Sequence, residues 1–448
     1  MKRLQPSRRD FLKLSGAALG CALLGSAYGC GGDGGDGGGS DPLPNGYLFY
    51  RIYSPGDLGL FPEVAGLSPQ VLLNERGQIF FSGQMEAGDF GFYALTLDLS
   101  GTPKIGDARR ILLEGTAGPD GRIIDTLTAV DVDDDGTVAG VLAFEIPENT
   151  DQSPGAVVTD RGAGLEILVN YNDDLPGNQG AYGGDFGDID IEGGDVMVVA
   201  RYGGDGLDAE GLFFLPGAEA ARARIVLNTG DEIPEANGTL EGLGLVDLDE
   251  NGSYVAQAFG DDPLRPPQLR QARQSGGVLF QGNVNQPREE NRLICACPSL
   301  DLSRSARARP NGPIVGDNLY GPRIGGAEIT SWVTQLEDDL RLYRNDSIIA
   351  QSGALSPGGA VIRTLIPGVV NGGGLTFFQL ITEQGIELCA HDGTRSALLL
   401  QRGDLVEGRR LDTLALGFHN NQADDLGRIV CYCQFADGQE ALLLGIPV

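Results

Sequence analysis

Asn74-Glu75-Arg76-Gly77-Gln78-Ile79-Phe80-Phe81 and Asn371-Gly372-Gly373-Gly374-Leu375-Thr376-Phe377-Phe378 agree at the asparagine, the closing glycine and both phenylalanines, although they stand far apart in the chain. Aspartate-led copies lie between and beyond them: Asp133-x-x-Gly136 before Thr137-Val138-Ala139, Asp249-x-x-Gly252 before Ser253-Tyr254-Val255, and Asp424-x-x-Gly427 before Arg428-Ile429-Val430. Two weaker copies lack the closing glycine, at Glu192 to Asp195 and at Ile324 to Ala327, and the second also lacks a polar opener. The sequence thus holds about seven units, returning roughly every fifty to sixty residues, which is the self-similarity of a repeat architecture.

Each copy is a turn followed by a strand. Asn, Asp and Gly tolerate positive φ, and the short polar side chains can close the turn on the backbone. The residues after each turn are β-branched, aromatic or alternating. A second marker stands upstream of most copies, as Gly56-Asp57, Gly230-Asp231 and Gly403-Asp404, with Pro or Gly a few residues on, as in Pro176-Gly177 and Pro357-Gly358. No long helical period occurs after the N-terminus, so each unit is several short strands joined by turns.

Such units predict an all-β fold: a β-propeller of about seven four-stranded blades, each burying its faces against its neighbours. The competing architectures are an open β-solenoid and a pair of β-sandwiches. The ends of the chain favour the ring. After Gly427 there is sequence for Ala441-Leu442-Leu443-Leu444 but not for a last strand, and the missing strand stands at the other end as Tyr47-Leu48-Phe49-Tyr50-Arg51. Pairing of N- and C-terminal strands would complete one blade and remove exposed sheet edges.

These repeats resemble the bacterial choice-of-anchor tandem repeat NxxGxxAF-containing proteins. Asn74 to Phe81, Asn371 to Phe378 and the aspartate-led copies carry the resemblance, which covers most of the chain after about residue 45. The position before the final Phe is Phe rather than Ala in the two best copies. The resemblance implies an exported, surface-anchored repeat protein and supplies no catalytic residues.

The N-terminus carries an address. Ser7-Arg8-Arg9-Asp10-Phe11-Leu12-Lys13 fits the twin-arginine pattern S-R-R-x-F-L-K at every fixed position, with Arg8 and Arg9 as the export signal, and a small-residue apolar stretch runs on from Leu14 to Gly29. Ala27-Tyr28-Gly29-Cys30 then precedes the run GGDGGDGGGS. A Cys after a small residue, ahead of a flexible glycine-rich tether, is the arrangement of a lipoprotein, which makes Cys30 the candidate lipidation site. Cys21, in Ala18-Leu19-Gly20-Cys21, is the rival, and simple cleavage to a soluble exported protein is the alternative. The expected organisation is a signal peptide over 1–30, a tether over 31–44 and one propeller over 45–448.

The chain has 448 residues, 41% of them hydrophobic, ample for a packed core. Its formal charge of −30 becomes about −34 when the first thirty residues leave with five basic and one acidic side chain. Nucleic acid and anionic lipid are therefore poor partners for the body, and the membrane is met only through the lipid. Lys104 is the one lysine after the signal, and an acidic, arginine-over-lysine composition accounts for most of the charge without a function. An Arg/Pro/Gln-rich insertion from Pro263 to Arg292, followed by Arg304, Arg307 and Arg309, is the local exception. Long loops on rigid scaffolds often carry recognition.

Three sets of side chains invite chemistry. Asp131, Asp133 and Asp135 before Gly136, and Asp247, Asp249 and Asn251 before Gly252, read D-x-D-x-[DN]-G, the front half of a calcium loop. Position nine falls on Ala139 and Val255 and position twelve on Leu142 and Ala258, so no carboxylate closes either shell. Calcium is the one cofactor this pattern admits, and the turn motif explains the same residues without it. Cys389-x-His391 and Cys431-x-Cys433, with His419 nearby and Cys295-x-Cys297 upstream, could form a soft-metal site or a disulfide of Cys389 with Cys431 or Cys433. Buried free thiols are the third reading. Nucleophile and phosphate motifs are missing, with two His in the whole chain. Arg402-Gly403-Asp404 spells an adhesion tripeptide but falls on the repeat's own Gly-Asp turn.

The expected function is a non-enzymatic, lipid-anchored, monomeric propeller at the envelope, facing periplasm or cell surface and offering its face to a protein, glycan or small ligand. The competing class is an exported propeller hydrolase or lyase with carboxylates in the central channel. A third is a calcium-stabilised structural repeat.

Overall fold

The computed structural model describes residues 43–57, 59–146, 155–176, 180–203, 209–233, 238–261, 277–287, 290–296, 314–315, 318–326, 329–336, 339–417 and 421–448. Arg8, Arg9, Cys30, Cys297, His419, most of the arginine-rich insertion and the basic stretch after it lie outside the described residues.

Strand follows strand. Blade 1 takes Val64–Leu73, Gln78–Met85, Phe90–Asp98 and Lys104–Leu113, and blade 2 takes Ile124–Val132, Val138–Phe144, Gly155–Asp160 and Leu165–Asn170. Blade 3 is Ala181–Glu192, Asp195–Gly203, Ala209–Leu215 and Arg224–Asn228. Blade 4 is Thr239–Leu248, Ser253–Asp261, Gly277–Asn283 and Arg292–Ala296, with Ile314–Val315 added in parallel. Blade 5 is Asn318–Gly325, Ile329–Leu336, Asp339–Arg344 and Ser347–Gln351, and blade 6 is Ile362–Val370, Thr376–Thr382, Gly385–His391 and Ser396–Gln401. Blade 7 has Arg409–Ala415, Ile429–Phe435 and Glu440–Pro447, and takes its fourth strand, Tyr47–Tyr53, from the other end of the chain. From blade 1 to blade 6 each first strand meets the next first strand, and blade 7 closes against blades 6 and 1. The fold is a seven-bladed β-propeller with the first strands innermost.

The turn motif does what its residues dictate. In blades 1, 2, 4, 6 and 7 the opener's N–H donates to the carbonyl four residues on, and the glycine N–H returns to the opener's carbonyl, as in Asn74 to Gln78 at 3.1 Å and Gly77 to Asn74 at 3.0 Å. The opener's Oδ1 accepts the fifth residue's N–H at 2.7–2.9 Å in Asn74, Asp249, Asn371 and Asp424; in blade 2 Asp135 does this for Thr137. Gly77, Gly136, Gly252, Gly374 and Gly427 all sit at φ between +73° and +87°, where a Cβ is costly. The two weak copies are shortened turns. Glu192 pairs directly with Asp195 across Gly193-Gly194, and Gly325 pairs with Ile329.

The second marker has an equally local cause. The carboxylates of Asp57, Asp173, Asp231 and Asp404 each accept the N–H three residues back, at 2.7–3.0 Å, closing the connection into the next blade. Asp404 of the apparent adhesion tripeptide is spent in this turn.

Alternate residues of each strand enter opposite seams. Phe80 and Phe92 pack with Val130, Leu142 and Phe144 of blade 2, whereas Phe81 and Tyr93 pack with Val430, Leu442 and Leu444 of blade 7. The folded body begins by Leu43, two residues ahead of the expected boundary. Leu43 is buried against the blade 6–7 core, and its N–H donates to Asp392 at 3.2 Å.

Closure is as the ends of the sequence foretell. Tyr47 pairs with Pro447 and Tyr50 with Leu444, with a bulge before Tyr53. Tyr53 is fully buried, its ring 5.3 Å from Phe81 and 6.0 Å from Phe61, and its hydroxyl lacks a partner among the described residues. Losing the ring should cost about 3–5 kcal/mol, whereas losing only the unpaired hydroxyl should cost little. In urea unfolding, Tyr53→Ala is therefore expected to fall by that amount while Tyr53→Phe stays within about 1 kcal/mol of the parent. Equal losses from both variants would contradict the closing role of the ring.

Candidate functional site

Strand register places one residue per blade at a common inner position: Leu72, Asp131, Asp190, Asp247, Arg323, Val369 and Gln422, all buried. In blades 1 and 6 it is apolar and packs into the following blade's core. In blades 2, 3 and 4 it is a carboxylate that accepts a backbone N–H of the following blade. Asp131 accepts from Ile191 at 3.3 Å, Asp190 from Leu248 at 2.5 Å and Asp247 from Ile324 at 2.5 Å. Asp188 does the same for Val246 at 2.9 Å, and Asp133 for Gly194 at 2.5 Å. Asn421 of blade 7 donates to Asp131 at 3.2 Å and to the Val132 carbonyl.

Crowded carboxyls out of water resist ionisation. Burial, then the neighbouring charge of Asp190 and the hydrogen bond between the two, holds Asp131 well above the usual carboxylate range. Asp190 is raised by burial, and the bond from Asp131 pulls it back. Burial and Asp190 raise Asp247. Burial pushes Asp188 up to about 6, against the pull of Val246 N–H and the Arg323 guanidinium. Glu192, at the turn of blade 3, is pushed to about 10 by burial and by Asp134, Asp190, Asp133 and Asp247. Arg323 bonds its own neighbour's carbonyl, that of Pro322, at 2.8 Å, and its charge acts on Asp188, Asp190 and Asp247. The arrangement can hold a proton within a carboxyl pair. Asp131, Asp190 and Asp247 are buried and bonded to amides across the blade seams.

The residues of the calcium pattern take up these two roles. Asp133, Asp135 and Asp249 serve their own turns, Asp131 and Asp247 clasp the next blade, and Asn251 gives its N–H to Asp249. Among the described residues no three His, Cys, Asp or Glu side chains converge as metal ligands. The expected Cys/His cluster is likewise not assembled. Cys389 packs in the core between blades 5 and 6, while Cys431 and Cys433 pack between blades 6 and 7. Strand alternation turns the first away from the other two, so the expected disulfide does not form and these thiols are free. His391 meets Ser396 at 3.0 Å. Sequence reading missed Asp188, Asp190, Arg323 and Asn421. Asp190 was the one with a signal, since it stands two residues before a shortened turn as Asp131 stands two before Asp133.

A groove of 560 Å³ opens elsewhere, at the seam of blades 7 and 1, bordered by Ala65, Gln84, Glu86, Gln439 and Glu440. Glu440 is engaged there, accepting the Leu67 N–H at 2.7 Å and the Tyr432 hydroxyl at 3.0 Å.

The inner carboxyls make stability depend on pH. Groups raised above their unfolded value hold protons that the unfolded chain releases above about pH 4, so their contribution is lost as pH rises through the folded values. Asp188 and Asp424, both near 6 and both raised first by burial, lose theirs over about pH 4–7, and Glu192, near 10 and also raised first by burial, extends the loss above that window. His391, lowered to about 4 by burial and then Arg344, opposes them between about 4 and 6.5. Asp188→Asn keeps the acceptor for Val246 and removes one charge. Urea unfolding should show the parent less stable at pH 8 than at pH 5.5, and the variant gaining roughly 1–3 kcal/mol at pH 8 with a shallower slope. A parent that stabilises as pH rises through this window would overturn the assignment.

No protein-family model matches the chain, and no curated protein matches it. Solved structures with some similarity to the chain share little of its sequence. The β-propeller domain of the Trilobed protease from Pyrococcus furiosus, described as having an open velcro topology, is similar at 10% identity and a TM-score of 0.45, over 85% of this chain and 95% of that one. Acylaminoacyl peptidase from Pyrococcus horikoshii is similar at 11% identity and 0.45, over 82% of this chain and 50% of that one. A catalytically inactive virginiamycin B lyase from Staphylococcus aureus, solved with quinupristin, is similar at 10% identity and 0.41, over 89% and 99%.

Proposed function

We propose that this chain is an exported, lipid-anchored β-propeller that works as a non-enzymatic binding scaffold at the cell envelope. The observation that carries this reading is the fate of the inner carboxylates. Asp131, Asp190 and Asp247 are buried and occupied by amides of the next blade. Their geometry serves ring assembly, and ligand contact is left to the loops and grooves of the faces. The twin-arginine motif and Cys30 support the address, and the NxxG repeats support kinship with choice-of-anchor proteins.

One observation favours a second reading. Asp131 and Asp190 share a hydrogen bond within reach of the Arg323 charge, and environments that push paired carboxyls apart are also how acid/base enzymes are built. An exported hydrolase or lyase would use that pair.

Two measurements test these readings. Cys30→Ala should move the chain from the membrane to the soluble fraction on cell fractionation, and continued membrane retention would refute lipidation at that residue. The Cys30→Ala chain, screened against glycans and cross-linked envelope proteins, should retain a partner equally well with and without Asp190→Asn. Turnover of a glycoside or ester that Asp190→Asn abolishes would replace the scaffold with the enzyme.

A further inference from the structure

The end of the arginine-, proline- and glutamine-rich stretch builds a second, smaller cleft. It measures 100 Å³ and lies between the outer strand of blade 3, Arg224–Asn228, and the second half of blade 4. Its polar border is Arg224, Tyr254, Asn283, Gln286 and Asn291. Among the described residues that border it there is no carboxylate.

Asn291 is the decisive residue. It is 6% exposed, and its Nδ2 has no hydrogen-bond partner among the described residues. A buried amide donor left unpaired is costly, and an acceptor brought by a ligand would relieve that cost. The opposite end of the amide is held in place. A Cβ on Gly282 would come within 2.2 Å of Asn291 Oδ1 and 2.6 Å of the Tyr254 hydroxyl, so the glycine is what lets the amide lie against this strand. Asn291 lines the cleft, and Nδ2 is its amide atom without a partner among the described residues.

Arg224 supplies the charge. Its Nη2 donates to the Val284 carbonyl at 2.6 Å, and its guanidinium lies 5.1 Å from the Phe214 ring centroid, which fixes its plane. It makes no ion pair among the described residues. Asn283 is already spent, its Nδ2 donating to the Asn251 carbonyl and the Ser253 hydroxyl at 3.2 Å each. An arginine and an unpaired amide donor line the cleft, a donor set that matches an oxygen-rich anion.

We propose that this cleft binds a small oxyanion, a carboxylate, sulfate or phosphate group, between Asn291 Nδ2 and the Arg224 guanidinium. The volume admits a group of that size and little more, since a water takes about 30 Å³ of liquid. The acidic body repels anions at long range, but at physiological salt that field is screened beyond about 8 Å, and the local donors decide.

The test titrates the full chain, carrying Cys30→Ala, with sodium phosphate, sulfate and acetate by calorimetry at constant ionic strength. A second arm uses a short phosphoserine peptide. Saturable binding of at least one inorganic anion, weakened about tenfold or more by Arg224→Ala and by Asn291→Asp and less by Arg224→Lys, is the expected result. Tighter binding of the peptide than of phosphate would assign the anion to a macromolecular chain, and the reverse order to a free ion. Arg224 is exposed, so Arg224→Ala should fold, with its melting temperature as the control. Absence of saturation up to about 50 mM, or equal binding by the parent and a folded Arg224→Ala, overturns the proposal. Neither result touches the anchor or the envelope partner.

Discussion

The ring depends on a side chain of one blade satisfying a backbone amide of the next. Within a blade the ladder pairs its own N–H groups, but where inner strands converge the blades meet through side chains, and a bulged inner strand leaves donors that no ladder reaches. Asp131, Asp190 and Asp247 answer Ile191, Leu248 and Ile324 in turn. Elsewhere the clasp is made by other groups: the Gly326 N–H meets the Asn371 carbonyl, Asn371 Nδ2 meets the Asp424 carbonyl at 2.8 Å, and Arg428 meets the Glu75 carbonyl at 3.1 Å. Every one of these contacts joins consecutive blades, so ring order is written into hydrogen bonds as well as into apolar packing.

That solution is asymmetric around the disc. Three consecutive blades use buried acids at a position where blades 1 and 6 use Leu72 and Val369. Buried carboxyls cost solvation, and at these three positions amide donors, with the Arg323 charge acting on Asp190 and Asp247, offset that cost. The acidic half adds buried carboxyls to the hydrogen bonds and apolar packing that join blades elsewhere in the ring.

The turn chemistry was fully legible because it is local. Asn74 or Asp249 closes a loop using atoms within five residues, and positive φ at the glycine leaves a residue-level trace. Closure was legible too, since a missing strand at one end matched a surplus strand at the other. The roles of Asp131 and Asp247 were hidden because their partners are a whole blade away, and a D-x-D string looks alike whether its first member binds a cation or an amide. Among the readings of the cysteines, buried free thiols is the one the structure shows, and the choice was hidden for a related reason. Alternation told that Cys431 and Cys433 share a face, but which seam that face enters, and that Cys389 enters another, is set by packing that no local pattern records. The cleft at Asn291 left no motif, because it is made by an absent side chain at Gly282.

The closing strand has a mechanical meaning. Tyr47–Tyr53 is both the outer member of blade 7 and the first described strand of the chain, with Leu43 clipped to Asp392 just ahead of it. Tension applied through the N-terminus would reach that clip before it reaches the ladder, and would then pull along the strand, so that its bonds to Leu442–Pro447 share the force instead of opening one by one. A ring closed in this way resists a pull along its closing strand with several ladder bonds at once.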